Sequence, residues 1–174
     1  MDKAKTIETT FAGVLKARGF RKRGRNWFRA TSANEYQVVN LQKSSWGGGN
    51  FCVNLGWDPA VPVREFRAEN QCAASLRAER TDAIPPIEWV GPDGLTTIEL
   101  RGIILLDPEM NDRLPETSFI RQLTEVVVTP IADLMDRTPS VVDLVALLTA
   151  KPWFATLALR SELSRRGLEL PSAW

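Results

Sequence analysis

The amino-acid sequence predicts an α+β fold, with an antiparallel sheet of about five strands, an N-terminal helix and a C-terminal group of helices. Apolar residues near the N-terminus recur at helical spacing, strand-like runs between residues 20 and 57 alternate with turn residues, and the last third returns to helical spacing. The strand-like runs begin the sheet as a three-stranded meander. A length of 174 residues without a repeat or linker favours a single domain over residues 1–174.

The N-terminal helix is predicted over residues 2–18. Its apolar stripe is narrow and consists of residues at helical spacing: Ile7, Phe11, Val14 and Leu15. Gly19 followed by Phe20 is typical of a helix end, where a left-handed residue precedes a hydrophobic contact. We expect the helix to lie across the sheet and three of its lysines to face water, namely Lys3, Lys5 and Lys16.

The meander is predicted from three runs separated by turn residues: residues 20–30, 35–45 and 51–57. In the second hairpin, hydrophobic matching favours the register that pairs Val39 with Trp57 and so collects apolar side chains on one face. Leu41 then lies opposite Leu55, and Gln42 lies opposite Asn54 on the other face. That second face carries amides: Asn40, Gln42 and Asn54.

The middle of the chain is predicted to hold a helix and a hairpin. Composition favours a helix over residues 62–80. Two short strands, residues 87–90 and 96–106, flank a turn that is rich in glycine and proline, and we expect them to bring the sheet to five strands.

The last third is predicted to be helical. A helix over residues 120–134 contains Pro130, which is expected to kink or interrupt it. Ser140 with Asp143 resembles a capping box at the start of the next helix. A final helix is predicted to begin at Pro152 and to end at Gly167. Proline, serine and glycine residues thus indicate the boundaries of these helices.

The composition excludes several kinds of chemistry. The chain contains no histidine, which rules out triads and zinc sites that depend on imidazole. Its two cysteines, Cys52 and Cys72, are too few for a disulfide scaffold and lack metal-ligand spacing, so reduced and buried thiols are expected. The carboxylates match no acid–base or metal motif. No catalytic residue, metal site or cofactor is therefore indicated.

The location of the protein is predicted from what the chain lacks. Its longest apolar runs, such as residues 102–106 and 126–128, are far shorter than the ~20 residues that cross a bilayer. The first residues do not have the apolar stretch of a secretory signal. We therefore expect a cytoplasmic protein.

Charge is distributed unevenly, although the net charge is only +1. Residues 1–57 contain ten Lys and Arg against three acids, a net charge of +7, whereas residues 58–174 carry a net charge of −6. If the two parts form different faces, the molecule is an electric dipole, which favours an acidic or polyanionic partner. Charges of this kind also simply keep proteins soluble.

Residues 15–57 contain the most distinctive motifs of the chain: Gly19-Phe20-Arg21-Lys22, Trp27-Phe28-Arg29, Asn40-Leu41-Gln42-Lys43-Ser44 and Val53-Asn54-Leu55-Gly56. Together these motifs resemble a bacterial family known as domain of unknown function 4304. A cysteine followed by arginines is a further point of similarity: Cys72, Arg77 and Arg80. The resemblance implies no activity, cofactor or catalytic residue, because the family has none assigned.

The first candidate surface is a basic cluster around the first predicted strand. Its members are Lys16, Arg18, Arg21, Lys22, Arg23, Arg25 and Arg29. Cations interleaved with aromatic residues can neutralise phosphates and stack bases, as in proteins that bind single-stranded nucleic acid. The same pattern is typical of a charged hairpin edge that discourages aggregation. Both interpretations are open at this point.

The second candidate surface is the amide-bearing face of the meander, with Trp46 at its Gly-rich turn. Exposed amides beside a tryptophan anchor make an adaptable contact surface. The alternative is structural pairing of the amides beneath a helix or loop. Taken together, the predicted binding residues are Arg21, Arg23, Arg25, Asn40, Gln42, Lys43, Ser44, Trp46 and Asn54.

Three functions are compatible with these observations. The first is a non-catalytic accessory or immunity-type module that binds another protein with an acidic surface, which requires complementary charge but no chemistry. The second is nucleic-acid binding through the basic N-terminal hairpin. The third is an enzyme that works without histidine, through carboxylates, arginine or Cys72. The lack of a recognisable catalytic constellation favours the protein-binding module.

Overall fold

The computed structural model describes residues 2–44, 50–59, 65–78, 81, 84, 87–90, 97–100, 103–109, 114–152 and 155–170. The α-helices in this part of the chain are α1 (Lys3–Ala17), α2 (Glu116–Gln122), α3 (Thr129–Arg137), α4 (Val141–Ala150) and α5 (Leu157–Arg165). The strands are β1 (Arg21–Arg23), β2 (Asn26–Ala30), β3 (Tyr36–Lys43), β4 (Phe51–Asp58), β5 (Ala74–Arg77), β6 (Ile87–Val90) and β7 (Thr97–Leu100). Short 3₁₀ turns occupy Glu69–Gln71 and Ile103–Leu106.

The fold is a five-stranded antiparallel sheet with strands in chain order from β1 to β5, accompanied by helices from both ends of the chain. The predicted α+β class is confirmed. The strands that make up the sheet differ from the prediction, however. The hairpin of β6 and β7 is present, but it forms a separate two-stranded sheet. Residues 103–106, expected to extend its second strand, form a 3₁₀ turn.

The first predicted strand is a hairpin of two strands, β1 and β2. The turn between them consists of Gly24 and Arg25, and Gly24 has a φ of +59°. A two-residue hairpin turn needs a positive φ, which glycine adopts without a steric penalty. The turn therefore adds a short edge strand that the alternation of apolar residues did not reveal.

The helix predicted over residues 62–80 is wrong for the described residues 65–78. After the 3₁₀ turn the chain forms β5, in which Ala74 and Leu76 are buried while Arg77 is exposed. Alanine, leucine and arginine all favour helices when local propensity decides. Here the free edge of β4 accepts a further strand, and pairing with the sheet overrides propensity.

The register of β3 and β4 differs by two residues from the prediction. Val39 pairs with Leu55 rather than with Trp57, and Asn40 pairs with Asn54. Side chains alternate with a period of two, so a shift of two residues leaves each side chain on its predicted face. Hydrophobic matching therefore identified the faces correctly but not the pairs. The hairpin closes through a hydrogen bond from Ser44 N to Asn50 O of 2.8 Å.

The front face of the sheet packs against the helices and forms the main core. Apolar side chains from the strands and helices make one buried cluster there, which includes Trp27, Val39, Leu41, Leu55 and Trp57 from the sheet. α1 contributes Phe11, whose ring centroid lies 5.7 Å from that of Trp27. The predicted position of α1 across the sheet is therefore confirmed.

α1 ends as predicted. Gly19 has a φ of +81°, its N–H donates to Lys16 O, and the N–H of Phe20 donates to Leu15 O, which is the hydrogen-bond pattern of a Schellman end. Lys5 and Lys16 are exposed as expected, but Lys3 is buried. Its ammonium donates to Leu114 O at 3.3 Å and lies 4.9 Å from the ring centroid of Phe119.

Pro130 does not break the long helix in which it lies. α2 continues through a π-helical segment, Leu123–Val128, directly into α3. A proline removes one hydrogen bond and crowds the preceding turn. The wider π-helical turn relieves this crowding, since the N–H of Thr129 donates to Thr124 O five residues earlier. The predicted interruption is therefore replaced by a local widening.

The remaining helix boundaries are partly as predicted. Ser140 and Asp143 form the expected capping box at the start of α4. α5 starts after Thr156, whose side chain accepts a hydrogen bond from Leu159 N, and not at Pro152. Gly167 ends it with a φ of +75°. None of the helices in the described part of the chain has the length and apolar character to span a bilayer.

A polar clamp joins the ends of α1 and α3 to the front face of the sheet. The last carbonyls of a helix have no partner within it. Gln37 Nε2 donates to the carbonyls of Met135 (2.8 Å) and Thr138 (2.6 Å) at the end of α3. Trp57 Nε1 also donates to Thr138 O (2.9 Å). Arg29 donates to the last carbonyl of the α1 cap, Arg18 O (2.8 Å), and to Gln37 Oε1 (3.0 Å).

Replacing Gln37 by leucine should destabilise the protein by about 2–3 kcal/mol, because the carbonyl of Met135 and the guanidinium of Arg29 lose a buried partner. Urea unfolding measures the free energy of unfolding. The matched control is Lys43→Leu on the same strand and face, where the side chain is exposed and the expected change is within about 0.5 kcal/mol. Equal costs for both variants would contradict the clamp.

The opposite, back face of the sheet is partly covered by residues 65–73, which we call the strap. Tyr36 anchors it, because the phenol donates to Arg67 O (2.7 Å) and accepts from Arg67 N (3.1 Å). Arg67 also binds the buried carboxylate of Asp58 at 2.9 Å. A second small core lies beneath the strap and contains Tyr36 and Val38, packed against Phe28 and Cys72.

Gly56 permits the close approach of the strap. A Cβ atom on Gly56 would lie 2.8 Å from Val38 Cγ1 and 2.9 Å from Cys72 Sγ. Gly56→Ala should therefore destabilise the protein by about 1–3 kcal/mol in urea unfolding. As the control, Gly13→Ala in α1 meets nothing within 4 Å and should stabilise by about 0.5–1 kcal/mol. A neutral Gly56→Ala would show that the strap does not pack tightly on the sheet.

Candidate recognition surface

One row of polar side chains crosses the back face at right angles to the strands. We call it the asparagine row, and its members, from β1 to β5, are Arg23, Asn26, Asn40, Asn54 and Arg77. Each is paired in register with the next, and paired residues of antiparallel strands project from the same face. The row therefore has an arginine at each edge of the sheet and asparagines on the three central strands.

Hydrogen bonds join the amides of the asparagine row. Asn54 Nδ2 donates to Asn40 Oδ1 (3.1 Å) and to Gln42 Oε1 (2.9 Å). Asn40 Nδ2 donates to Asn26 Oδ1 (2.9 Å), and Asn26 Nδ2 lies 3.4 Å from Arg23 O. The structural pairing considered as an alternative is thus present. It also fixes the orientation of each amide, so the row presents a defined pattern of donors.

Exposure along the row is highest at its two edges and lowest at Asn54. Arg23 and Arg77 are exposed, Asn26 and Asn40 are half-buried, and Asn54 retains only 7% of its surface. An amide nitrogen carries two donor hydrogens, and the links above use only one of those on Asn40. Gln42 beside the row is exposed, and its amide nitrogen donates to none of the described residues. The surface therefore has more donors than it uses internally.

Arg77 lies close to one carboxylate of the strap. Burial raises the pKa of the Glu69 carboxyl above its ordinary value, although a hydrogen bond from Ser75 and, to a smaller extent, the charge of Arg77 lower it. Glu69 is therefore a partly desolvated acid beside the β5 end of the row. At the β1 end of the row, Arg23 forms no ion pair with a carboxylate of the described residues.

The cations of β1 lie over aromatic rings. Arg21 is 5.1 Å from the ring centroid of Phe28, and Arg23 is 4.8 Å from that of Phe66 on the strap. All three residues of β1 are exposed. Cation–π attraction to these rings helps to hold the two guanidinium groups in place. β1 therefore forms a basic edge to the back face.

The predicted basic cluster is divided between this edge and internal ion pairs. Arg18 binds Asp133 (2.8 Å) and Asp136, and Arg29 also binds Asp136 (2.7 Å). Arg25 binds Glu8 of α1 at 2.5 Å. These three arginines join the first part of the chain to the helices. They are not arranged as one continuous phosphate-binding surface.

The other predicted binding residues are dispersed. Arg25 binds Glu8 and lies 5.5 Å from the ring centroid of Phe51, on the front side of the sheet. Lys43 pairs with Phe51 and therefore also belongs to the front face, where it is exposed at the end of β3. Ser44 closes the hairpin through its N–H. The prediction for Trp46 lies outside the described residues.

Two members of the asparagine row were missed by sequence reasoning: Asn26 and Arg77. A signal was available for the first, because the three asparagines recur at intervals of 14 residues. The register predicted for β3 and β4 placed Asn54 opposite Gln42 and thus concealed the alignment. Arg77 was missed because its segment was expected to be helical.

Two observations concern the reactive side chains of the described residues. They contain no group of three or more His, Cys, Asp or Glu side chains that could hold a metal ion. Burial, with smaller contributions from Asp58 and Glu69, raises the pKa of the Cys72 thiol to about 12. A thiol with such a pKa carries almost no reactive thiolate near neutral pH. Cys72 is therefore a packing residue of the strap, in contact with the small core on the back face.

Cys72 and Tyr36 make the stability of the strap sensitive to alkaline pH. Burial raises the pKa of Cys72 from 9.0 to about 12 and that of Tyr36 from 10.0 to about 12. The folded state therefore keeps both groups neutral at a pH where the unfolded chain ionises them. Their contribution to stability is complete below about pH 9 and is lost as the pH rises towards about 12.

We expect the free energy of unfolding to fall across this range in the wild type and to fall less steeply in Cys72→Ala/Tyr36→Phe. Urea unfolding from about pH 8 to about pH 11 measures both slopes. Lysines and other groups that are common to both proteins titrate equally in each, so their effect cancels when the two slopes are subtracted. Identical slopes would show that the two groups are not held neutral by the fold.

The model for the family described as Domain of unknown function (DUF4304) matches residues 11–97, which is half of the chain. The chain belongs to this family. The DUF4304 match contains β1 to β5, the strap and every member of the asparagine row, and it ends at the first residue of β7. The family resemblance of residues 15–57 is thereby confirmed and extended. The chain has no match among the curated proteins or the solved structures.

Proposed function

We propose that this DUF4304 protein is a cytoplasmic, non-catalytic accessory module that binds another protein with an acidic surface. The observation that supports the proposal is the asparagine row, with an exposed arginine at each edge and spare amide donors between them. Such a surface complements carboxylates and carbonyl oxygens, which accept hydrogen bonds. Binding would require no rearrangement of the main core, because the row lies on the face opposite α1 and α3.

The chemistry of this surface favours a protein over a nucleic acid. Proteins that bind single-stranded nucleic acids stack bases on exposed aromatic rings. Among the described residues of the basic hairpin, Trp27 and Phe20 are buried, and Phe28 is covered by Phe66 and Tyr36. Arg18, Arg25 and Arg29 are already paired with acids, so the positive charge available for phosphates is smaller than the sequence suggests.

Site-specific crosslinking tests the proposal. A photoreactive phenylalanine analogue replaces Gln42, the exposed amide beside the row, and in a matched protein replaces Lys16, an exposed residue of α1. We expect a discrete protein adduct in the native host from position 42 and not from position 16. The captured protein is then purified and its affinity for the unmodified chain is measured by calorimetry.

Charge reversal completes the test. Arg21→Glu/Arg23→Glu should weaken binding of the purified partner by about tenfold or more, because like charges across an interface repel. Lys5→Glu/Lys16→Glu changes the net charge equally on exposed positions of α1 and should leave affinity within about twofold. Equal losses from both variants, nuclease-sensitive adducts, or no adduct from position 42 would each overturn the proposal.

A further inference from the structure

The back face consists of parallel cross-strand rows, and they differ sharply in exposure. The row next to the asparagine row contains Arg21, Phe28, Val38, Gly56 and Ser75 in register. Val38 is fully buried and Gly56 is buried beneath Cys72, so the strap closes the centre of that row. A ligand on the back face is therefore confined to the asparagine row and its other neighbour, Gln42. Its long axis must run across the strands and not along them.

The length of the row sets the size of that ligand. Four inter-strand steps of about 4.8 Å separate the backbones of Arg23 and Arg77, a span of about 19 Å. An extended peptide rises about 3.3 Å per residue, so about six residues cover this span. Successive side chains of an extended chain point to opposite sides. Two acids an even number of residues apart therefore both face the sheet.

The chemistry of the row matches such a peptide at its two edges and at Asn40 and Gln42, whereas the buried amide of Asn54 has its donor group already paired. Guanidinium groups at the two ends pair with carboxylates, and the unused amide hydrogens of Asn40 and Gln42 suit backbone carbonyls between them. The amides are already oriented by their mutual hydrogen bonds, so binding orders few additional side chains.

We propose that the asparagine row binds an extended acidic segment of a protein partner, which lies across the five strands with one acidic side chain at Arg23 and another at Arg77. This inference rests on the proposed function and specifies the chemical form of the partner. The two acids are about six residues apart in the partner sequence. Glu69 is the internal carboxylate with which the acid at Arg77 competes.

Synthetic peptides with two glutamates on a Gly/Ser background provide the test. The separation of the glutamates is varied from about three to about nine residues around the expected value, at constant charge. Affinity is measured from chemical-shift changes of the side-chain amides of Asn26, Asn40 and Gln42 in the full chain. We expect the tightest binding at the six-residue separation and weaker binding, by about threefold or more, at the odd separations beside it.

Variants distinguish site binding from general charge attraction. Arg23→Gln and Arg77→Gln should each weaken the best peptide by about twofold to fivefold and flatten its dependence on separation. Glu69→Gln should strengthen binding by about twofold, since it removes the competing carboxylate. Lys5→Gln removes a cation from α1 and should have no effect on the dependence on separation.

The outcomes separate this inference from the proposed function. The extended acidic segment is ruled out as the ligand if affinity depends on total charge alone. It is also ruled out if a thymidine hexanucleotide binds more tightly than every peptide and shifts the same amide signals. If the peptides fail while the protein crosslinked at position 42 still depends on Arg23, the inference fails and the proposed function stands. If neither peptides nor the crosslinked protein depend on the row, both are wrong.

Discussion

The arrangement of the whole molecule depends on how two helix ends are satisfied at the front face of the sheet. The ends of α1 and α3 converge there, and each brings backbone carbonyls that have no partner within their own helices. Arg29 and Gln37 supply donors to both ends, and Trp57 adds a third donor at Thr138. A buried carbonyl without a donor costs roughly 1–3 kcal/mol. The clamp therefore favours, together with the apolar core, the arrangement in which these helix ends meet the front face.

That choice also determines how the charge of the first 57 residues is used. Arg18 and Arg29 neutralise Asp133 and Asp136 across the junction of α1, β2 and α3, and Arg25 binds Glu8. The ion pairs of Arg18 and Arg29 therefore neutralise part of the charge asymmetry within the fold and join the basic first part of the chain to the acidic second part. The pair of Arg25 and Glu8 lies wholly within the first part. The positive charge that is exposed on the back face is concentrated on β1 and at Arg77 of β5, the two edges of that face.

Sequence reasoning succeeded where a local pattern has one structural solution. The stripe of Ile7, Phe11 and Leu15 with Gly19 specified α1 and its end, since helical spacing and a left-handed glycine leave little choice. It failed where the tertiary context decides. The segment containing Ala74 and Leu76 has helical composition but pairs with β4, which no local pattern reveals.

In the hairpin of β3 and β4, too, the sequence pattern predicted one property of the candidate surface and missed another. Alternation placed Asn40 and Asn54 on one face correctly, but a period of two cannot distinguish a register from one shifted by two residues. The contact between the two amides, together with Asn26, is a property of pairing and not of pattern.

Polar side chains occur on both faces of this sheet, but their hydrogen-bond donors are used differently. On the front face, both amide hydrogens of Gln37 are committed to helix carbonyls and the side chain is fully buried. On the back face, the amides satisfy one another only in part, and Gln42 keeps its donors at an exposed position. Amide donors that face solvent add nothing to the stability of the fold, because a hydrogen bond contributes to stability only when both of its groups are paired within the protein. The surplus of donors, bordered by an arginine at each edge, is therefore the feature on which the proposed binding of an acidic partner depends.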